Sequence, residues 1–449
     1  MCKYRVDETD PGKQSARRAV SGMDRRSFIG LLAANSALLA GAKAQSATTY
    51  QVGVGYSTDP YTAASVALSA SGQFPTNLAG QTVLIKPNLV VAKPSSSGAT
   101  TDPHVVQAVV DLCIAAGATQ IQIIEAPLPG NQPYWGPCGY GAIFTKKAYP
   151  QVQLVNLVTG TYVLTPVPGG GSAYQQMWVP SLVMQPNTFF ISVGKMKTHQ
   201  EAVVTLSMKN LVGLASEPAY APPVETDLPR HDLHLRSINQ SIVDLNMIRP
   251  IDFAVIDGVW GMDGEGPTSG NPVATNVVLA GLNPMAVDRV GLNVMEFAQN
   301  SVTYLGYAAQ AGLGPPNTNN VILLGDTYTP YPYVPAITPP ILYQPVATPN
   351  TISISAGQST SIKYAIAANS FTLVEIIQDS DVTPSVDVIR TLHGYKMVLA
   401  PGESVTWNGR TGAGAAVAPG TYLARVQAIA SSTTSSIVNF SVCRITVNP

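Results

Sequence analysis

Lys195, Lys197 and His199 lie within one short stretch, Lys195-Met-Lys-Thr-His199, and Lys209-Asn210 follow after a second apolar run. In a chain with only 11% charged residues, this concentration stands out. A lysine brings a point charge, and a histidine brings an acid, a base or a metal ligand near neutral pH. A further lysine and amide, Lys86 and Asn88, close the apolar run that begins at Thr82. Lysines gathered by one fold repel unless an anion lies among them, and a carboxylate or phosphate is the natural neutraliser. The expected roles follow from this. Lys195, Lys197 and His199 are the catalytic candidates, with His199 as acid or base and the lysines holding an anion. Lys86, Asn88, Lys209 and Asn210 are the substrate-binding candidates. The competing reading pairs some of these lysines with Glu125, Asp257 or Asp288 in structural ion pairs, or leaves them in a solvated loop.

Two sets of residues could hold a metal. His231-Asp-Leu-His234 has the spacing that puts two rings on one helix face, and His199 could complete a three-histidine site. Asp263 and Glu265 lie in the Gly-rich stretch after Asp257 and could present two carboxylates to Mg²⁺ or Ca²⁺. Incidental histidine spacing and a Gly-rich turn with solvated acids are the alternatives. The cofactor is otherwise unspecified. The four cysteines (Cys2, Cys113, Cys138, Cys443) form no C-x-x-C, so no iron–sulfur cluster is expected. Cys113 reads as a small core residue, and a Cys113–Cys138 bridge is compatible with an oxidising compartment but does not follow from spacing. No Gly-x-Ser-x-Gly elbow, Walker loop or dinucleotide fingerprint occurs, which disfavours a serine hydrolase, a P-loop NTPase or a standard dehydrogenase.

Positioning these residues requires an α/β framework. Thr82–Asn88 reads as a buried strand stopped at Pro87, and Asp102-Pro103 as the cap and first turn of a helix ending at Gly117. Thr119–Glu125 is the next strand, which makes a βαβ crossover in a parallel sheet. Its strand ends bring Lys86, Asn88 and Glu125 to the carboxyl edge, where open sheets bind ligands. Further strands are expected at Val152–Asn156, Thr188–Val193, Phe253–Asp257, Thr275–Ala280 and Val321–Leu324. Helices are expected at Arg236–Met247 and Met285–Phe297. In this reading the strand Thr188–Val193 empties at Gly194 into a cationic loop.

The chain has 449 residues and a formal net charge of −1, so nothing points to nucleic acid as a partner. Met23-Asp-Arg-Arg-Ser-Phe-Ile-Gly30 is a twin-arginine pattern, followed by a short apolar stretch and the small-residue site Ala42-Lys-Ala44. Residues 1–44 are therefore expected to be a signal peptide, and the mature protein to be periplasmic or extracellular with no transmembrane segment. Met1 and Met23 are both candidate starts. Residues 45–328 form the α/β domain, mostly parallel with flanking helices, and 329–344 a Pro-rich linker. Residues 345–449 carry short alternating runs, an all-β sandwich of immunoglobulin size.

Two resemblances sharpen this reading. Trp407-Asn-Gly-Arg-Thr-Gly, with Pro419-Gly-Thr-Tyr422, resembles the Ig-like module named after the flagellar hook-capping protein. Such modules act as spacers or surface attachments. Val83-Leu-Ile-Lys-Pro-Asn-Leu, Thr101-Asp-Pro-His, Lys195-Met-Lys-Thr-His and Leu206-Ser-Met-Lys-Asn-Leu-Val-Gly resemble the domain of unknown function 362. Asp257-Gly-Val-Trp-Gly-Met-Asp-Gly-Glu-Gly and Asn283-Pro-Met-Ala-Val-Asp continue that likeness in order, over roughly residues 50 to 325. The resemblance implies an α/β fold and lifts the Asp263/Glu265 loop toward a site. The ferredoxin-type cluster domain that many members carry has no counterpart motif in this sequence. The function these signs suggest is an enzyme acting on a small anionic substrate. The alternative is a non-catalytic, anion-binding periplasmic or surface protein.

Overall fold

The computed structural model describes residues 48–126, 134–215, 217–220, 231–337, 340–381, 387–430 and 438–449. The twin-arginine stretch lies outside them. From Thr49 onward the described chain forms one compact unit.

Its first part is built on a ten-stranded sheet. The strands are β1 (Tyr50–Tyr56), β2 (Thr82–Lys86), β3 (Gln120–Glu125), β4 (Val152–Asn156), β7 (Thr188–His199), β8 (Val203–Thr205), β9 (Phe253–Asp263), β10 (Asn271–Val273), β11 (Val277–Gly281) and β12 (Val321–Gly325). The hairpin β5 (Tyr162–Pro166) and β6 (Gln176–Pro180) stands apart as its own two-stranded sheet. The main order is β12-β1-β11-β9-β7-β2-β3-β4, and all of these neighbours pair in parallel except where β11 lies between β1 and β9. Parallel strands covered on both faces read as continuous apolar runs, which is why Val83–Ile85 and Phe253–Ile256 have no polar alternation. The covering helices are α1 (Pro60–Ser71), α2 (Pro103–Ala115), α3 (His231–Ile248), α4 (Pro284–Val294) and α5 (Thr303–Gln310). As expected, Asp102 caps α2, its carboxylate accepting from the His104 amide at 2.8 Å, with Pro103 in the first turn.

The expected loop after Val193 is a strand instead. β7 runs on through Lys195 and Lys197 to His199, and every residue from Phe190 is buried. Two pairings hold it. Lys195 lies opposite Asp257 on β9, and Lys197 to His199 form an antiparallel hairpin with β8. A lysine stem is aliphatic and can lie in a sheet if its ammonium finds a partner.

Beyond Leu342 lie two further sheets. One is β13 (Val346–Thr348), β15 (Thr360–Ala365) and β18 (Gly402–Trp407), all antiparallel. The other has the order β14-β20-β19-β16-β17, from β14 (Thr351–Ser353), β16 (Ser370–Gln378), β17 (Val388–Val398), β19 (Gly420–Ile429) and β20 (Asn439–Asn448). Ile362 and Trp407 from the first sheet share a core with Ile376, Tyr422 and Ile445 from the second. The second sheet is apolar on both faces, since Ile377, Leu423 and Val442 join the α/β core on its other side. Arg236 of α3 crosses here. Its guanidinium reaches Asp381 at 2.9 Å, Asp379 at 3.4 Å and the Ser380 carbonyl at 2.9 Å, and it lies 4.2 Å from the Tyr174 ring centroid. The Pro/Tyr-rich segment before these sheets is strapped down. Tyr331 and Tyr333 amides donate to Val294 and Met295 carbonyls, and Gly261 leaves room for the Tyr333 hydroxyl that a Cβ would strike.

Cys113, Cys138 and Cys443 are buried free thiols. Among the described residues no helix is long and apolar enough to cross a membrane.

Candidate functional site

The chain runs β2 to β3 to β4 toward one side of the sheet, then returns to β7 and proceeds to β9 on the other. The crevice between β2 and β7 is thus the topological switch point, and a ligand site belongs at its carboxyl edge. A cavity of about 350 Å³ opens there. Lys86, Asn88, Lys197, His199, Lys209, Asn210 and His234 all line it, together with Glu125, Glu201 and Thr205.

Several elements deliver these side chains. Lys86 ends β2, and its ammonium meets Glu125, at the end of β3, at 2.7 Å. The Glu125 carboxylate also accepts from the Leu89 and Ala126 amides, each at 2.9 Å. Lys209 and Asn210 open the 3₁₀ turn Lys209–Leu214. Asn210 donates to the Lys86 carbonyl at 2.8 Å and accepts from the Asn88 amide at 3.1 Å. The same turn passes close to Lys86: a Cβ at Gly213 would lie 2.7 Å from the Lys86 ammonium. Asp288 of α4 anchors the entry to the turn, accepting from the Ser207 amide at 2.8 Å and the Met208 amide at 3.2 Å. Burial raises the Asp288 carboxyl to about 6, against the pull of these donors.

The cations fall into two groups. Lys86 is neutralised by Glu125, and Lys195 by Asp257 at 2.7 Å. Lys195 does not line the cavity. Its pair with Asp257 is wholly buried, and Asp257 also accepts from the Asp102 and Val259 amides. Lys195 therefore joins β7 to β9, which is the structural ion-pair alternative. Lys197 and Lys209 differ. The Lys197 ammonium donates to the Ala99 carbonyl at 2.7 Å and meets no carboxylate within ion-pair distance among the described residues. Lys209 has neither a hydrogen-bond nor an ion-pair partner among the described residues, although it is only 8% exposed. Burial, then Lys209 and Lys195, hold the Lys197 ammonium well below the ordinary lysine range. Burial also lowers Lys209, to about 8, with Glu201 opposing. His199 is pushed well below the usual histidine value by burial, then by Lys209, His234 and Lys197. These cationic groups repel one another within one concave site.

Of the metal candidates, His199 and His234 come together at the cavity, whereas Asp263 and Glu265 lie away from its lining. The His199 and His234 rings stack, with centroids 6.3 Å apart and planes at 16°, and His234 Nδ1 meets Glu201 at 2.6 Å. The side chain of His231 lies outside the described residues. Asp263 accepts from the Val334 amide at 3.1 Å, and Glu265 from the Gln200 amide at 2.9 Å, and neither lines the cavity. Among the described residues no group of three or more His, Cys, Asp or Glu side chains is placed to hold a metal ion. Residues missed by sequence reasoning are Glu201 and Thr205, both cavity-lining, and Gly213.

Comparison with known proteins bears on the first part of the chain. A thylakoid-associated protein of Synechocystis is 22% identical over 239 residues, 53% of this chain and 70% of that protein. A β-glucosidase structure from Erythrobacter marinus matches 27% of this chain and 18% of its own at 21% identity, with a TM-score of 0.15, and carries no argument about fold or activity. The family match coincides with the elements that build the cavity, from β2 to α4: residues 83–293 match the family described as domain of unknown function (DUF362).

Proposed function

We propose that this protein is an exported enzyme acting on a small anionic substrate held in the cavity between β2 and β7. The observation that carries the reading is the pair Lys197 and Lys209: two buried ammonium groups line one cavity, with no carboxylate at ion-pair distance among the described residues. A carboxylate or phosphate of the substrate would supply that charge, with charge-assisted hydrogen bonds worth roughly 1.5–3 kcal/mol each. Lys86, Asn88 and Asn210 shape the wall around it, and the imidazoles supply acid–base capacity. Export rests on the Arg25-Arg26 stretch. We read the two sheets sharing a core around Trp407 as an Ig-like sandwich, a surface attachment or spacer.

A second reading, a non-catalytic anion-binding protein, draws on the in-place neutralisation of Lys86 and Lys195 by Glu125 and Asp257. Only two lysines are then left to bind, which suffices for capture without chemistry.

The test is a melting-shift screen of small carboxylates and phosphates on the wild type, Lys197→Ala and Lys147→Ala. Lys147 is exposed and does not line the cavity, whereas Lys93 reaches Thr268 on the cavity wall and would be a poor control. Lys197→Ala is expected to weaken the stabilising anion about tenfold to a hundredfold. If no anion stabilises the wild type, or both variants respond alike, the cavity is not an anion site. Turnover of a stabilising anion separates the enzyme from the binding protein.

A further inference from the structure

The two imidazoles of the cavity are held in opposite ways. His199 Nδ1 accepts from the Glu201 amide at 3.1 Å and the Ala202 amide at 3.3 Å. Backbone amides can only donate, so Nδ1 must carry the lone pair and the ring proton lies on Nε2. His234 Nδ1 lies 2.6 Å from a Glu201 carboxylate oxygen, which can only accept when ionised. Its Nδ1 therefore carries a proton, and in the neutral ring Nε2 is the lone-pair nitrogen. One residue, Glu201, sets both states, through its backbone for His199 and its side chain for His234.

We propose that Glu201 and His234 form the proton-accepting dyad of the cavity, while His199 is a fixed Nε2–H donor that helps hold the anion. This rests on the anionic-substrate reading and moves the acid–base role that the sequence suggested for His199 to His234, which the sequence offered as a metal ligand. In the step it supports, a proton leaves the substrate for His234 Nε2, and its electron pair stays on the substrate. The new negative charge faces the Lys209 ammonium and the His199 Nε2–H. Glu201 remains ionised and keeps hold of the ring's Nδ1–H, the orienting role a carboxylate plays beside a general base. Return of the proton to the substrate or its product restores the dyad. The near-parallel stacking of the rings lets donor and acceptor face one ligand from neighbouring positions. The lowered basicity of His199, caused first by burial and then by Lys209, agrees with a ring that stays neutral and donates.

The experiment is nitrogen NMR of the full chain labelled with ¹⁵N in its histidine rings, near neutral pH, with His199→Gln and His234→Gln used to assign the signals. His199 is expected to show a protonated Nε2 and a bare Nδ1, and His234 a protonated Nδ1. In Glu201→Gln the His234 ring should lose its fixed pattern, while His199, bound by backbone amides that the substitution leaves in place, keeps its own. A merely structural Glu201 would not move one ring and spare the other. Inorganic phosphate, as the probe, should shift the His199 Nε2–H signal. A proton on His199 Nδ1, or a His234 pattern indifferent to Glu201→Gln, overturns the dyad. Correct patterns with no ring responding to phosphate or to acetate would instead remove the anion reading on which the dyad acts.

Discussion

Lys209 offers the sharpest test because its pH behaviour and its ligand behaviour are linked. Burial lowers its ammonium from an ordinary 10.5 to about 8. The folded chain thus binds fewer protons there than the unfolded chain between those values, and its contribution to stability rises with pH across that window. Below pH 8 the protein without ligand carries a buried charge at a cost of about 3 kcal/mol. A bound carboxylate or phosphate would restore the charged form and raise the ammonium again. Binding near pH 7 should then be insensitive to Lys209 ionisation, whereas between pH 8 and the bound-state value affinity should fall about tenfold per pH unit. Each binding event there should take up close to one proton on Lys209, with Lys197 adding a second contribution. Calorimetry of the stabilising anion in two buffers of different ionisation heat, at pH 7 and pH 9, reads that uptake directly. Lys209→Met should abolish its share of the uptake and weaken binding about tenfold to a hundredfold at pH 7. It should also raise the melting temperature of the unliganded protein, since an unpaired charge gives way to an apolar stem. Binding without proton uptake at pH 9, or a Lys209→Met variant that melts lower and binds as the wild type does, would refute the reasoning.

Four further outcomes are expected. Gly213→Ala should push the Lys86 ammonium away from Glu125, because the added Cβ would lie 2.6 Å from Lys86 Cε, and anion affinity should drop in titration while a cooperative melt is retained; unchanged affinity would show that Lys86 is only structural. Arg236→Ala should destabilise the chain by about 3–5 kcal/mol in denaturant melts, because Asp381 is left buried without its partner. A chain ending at residue 330 should aggregate, since the Ile377, Leu423 and Val442 face would no longer cover the α/β core; a soluble, cooperatively melting truncation would count against this. Lys–Lys in place of Arg25-Arg26 should strand the precursor in the cytoplasm, read by fractionation, and normal export of that variant would rule out the twin-arginine assignment.

What could be read from the sequence was local. The Asp102-Pro103 helix start, the strands Thr82–Lys86 and Val152–Asn156, and the stop at Pro87 each depend on neighbours a few positions away, and the structure places them within a residue or two of expectation. What stayed hidden depends on partners far along the chain. Nothing near Lys195 points to Asp257, and nothing near Arg236 points to Asp379 and Asp381. β7 beyond Val193 is a different case, because a signal for it was present. Lys195, Lys197, His199 and Glu201 occupy every second position, separated by Met196, Thr198 and Gln200. Alternation of that kind is the period of a strand, and it holds for Lys197 and His199, which line the cavity together, while Lys195 lies beyond a register shift. The strand itself ends at His199, and Glu201 follows in the turn. The structure supplies the physical reason the strand continues: the Asp257 carboxylate and the Ala99 carbonyl receive the first two ammonium groups, so charge does not have to end β7. The chain leaves the strand only after His199, at the turn whose Glu201 amide binds one ring and whose carboxylate binds the other. The same backbone reversal that closes the β7–β8 hairpin thus fixes both imidazoles, so the chemistry of the cavity depends on where the strand ends.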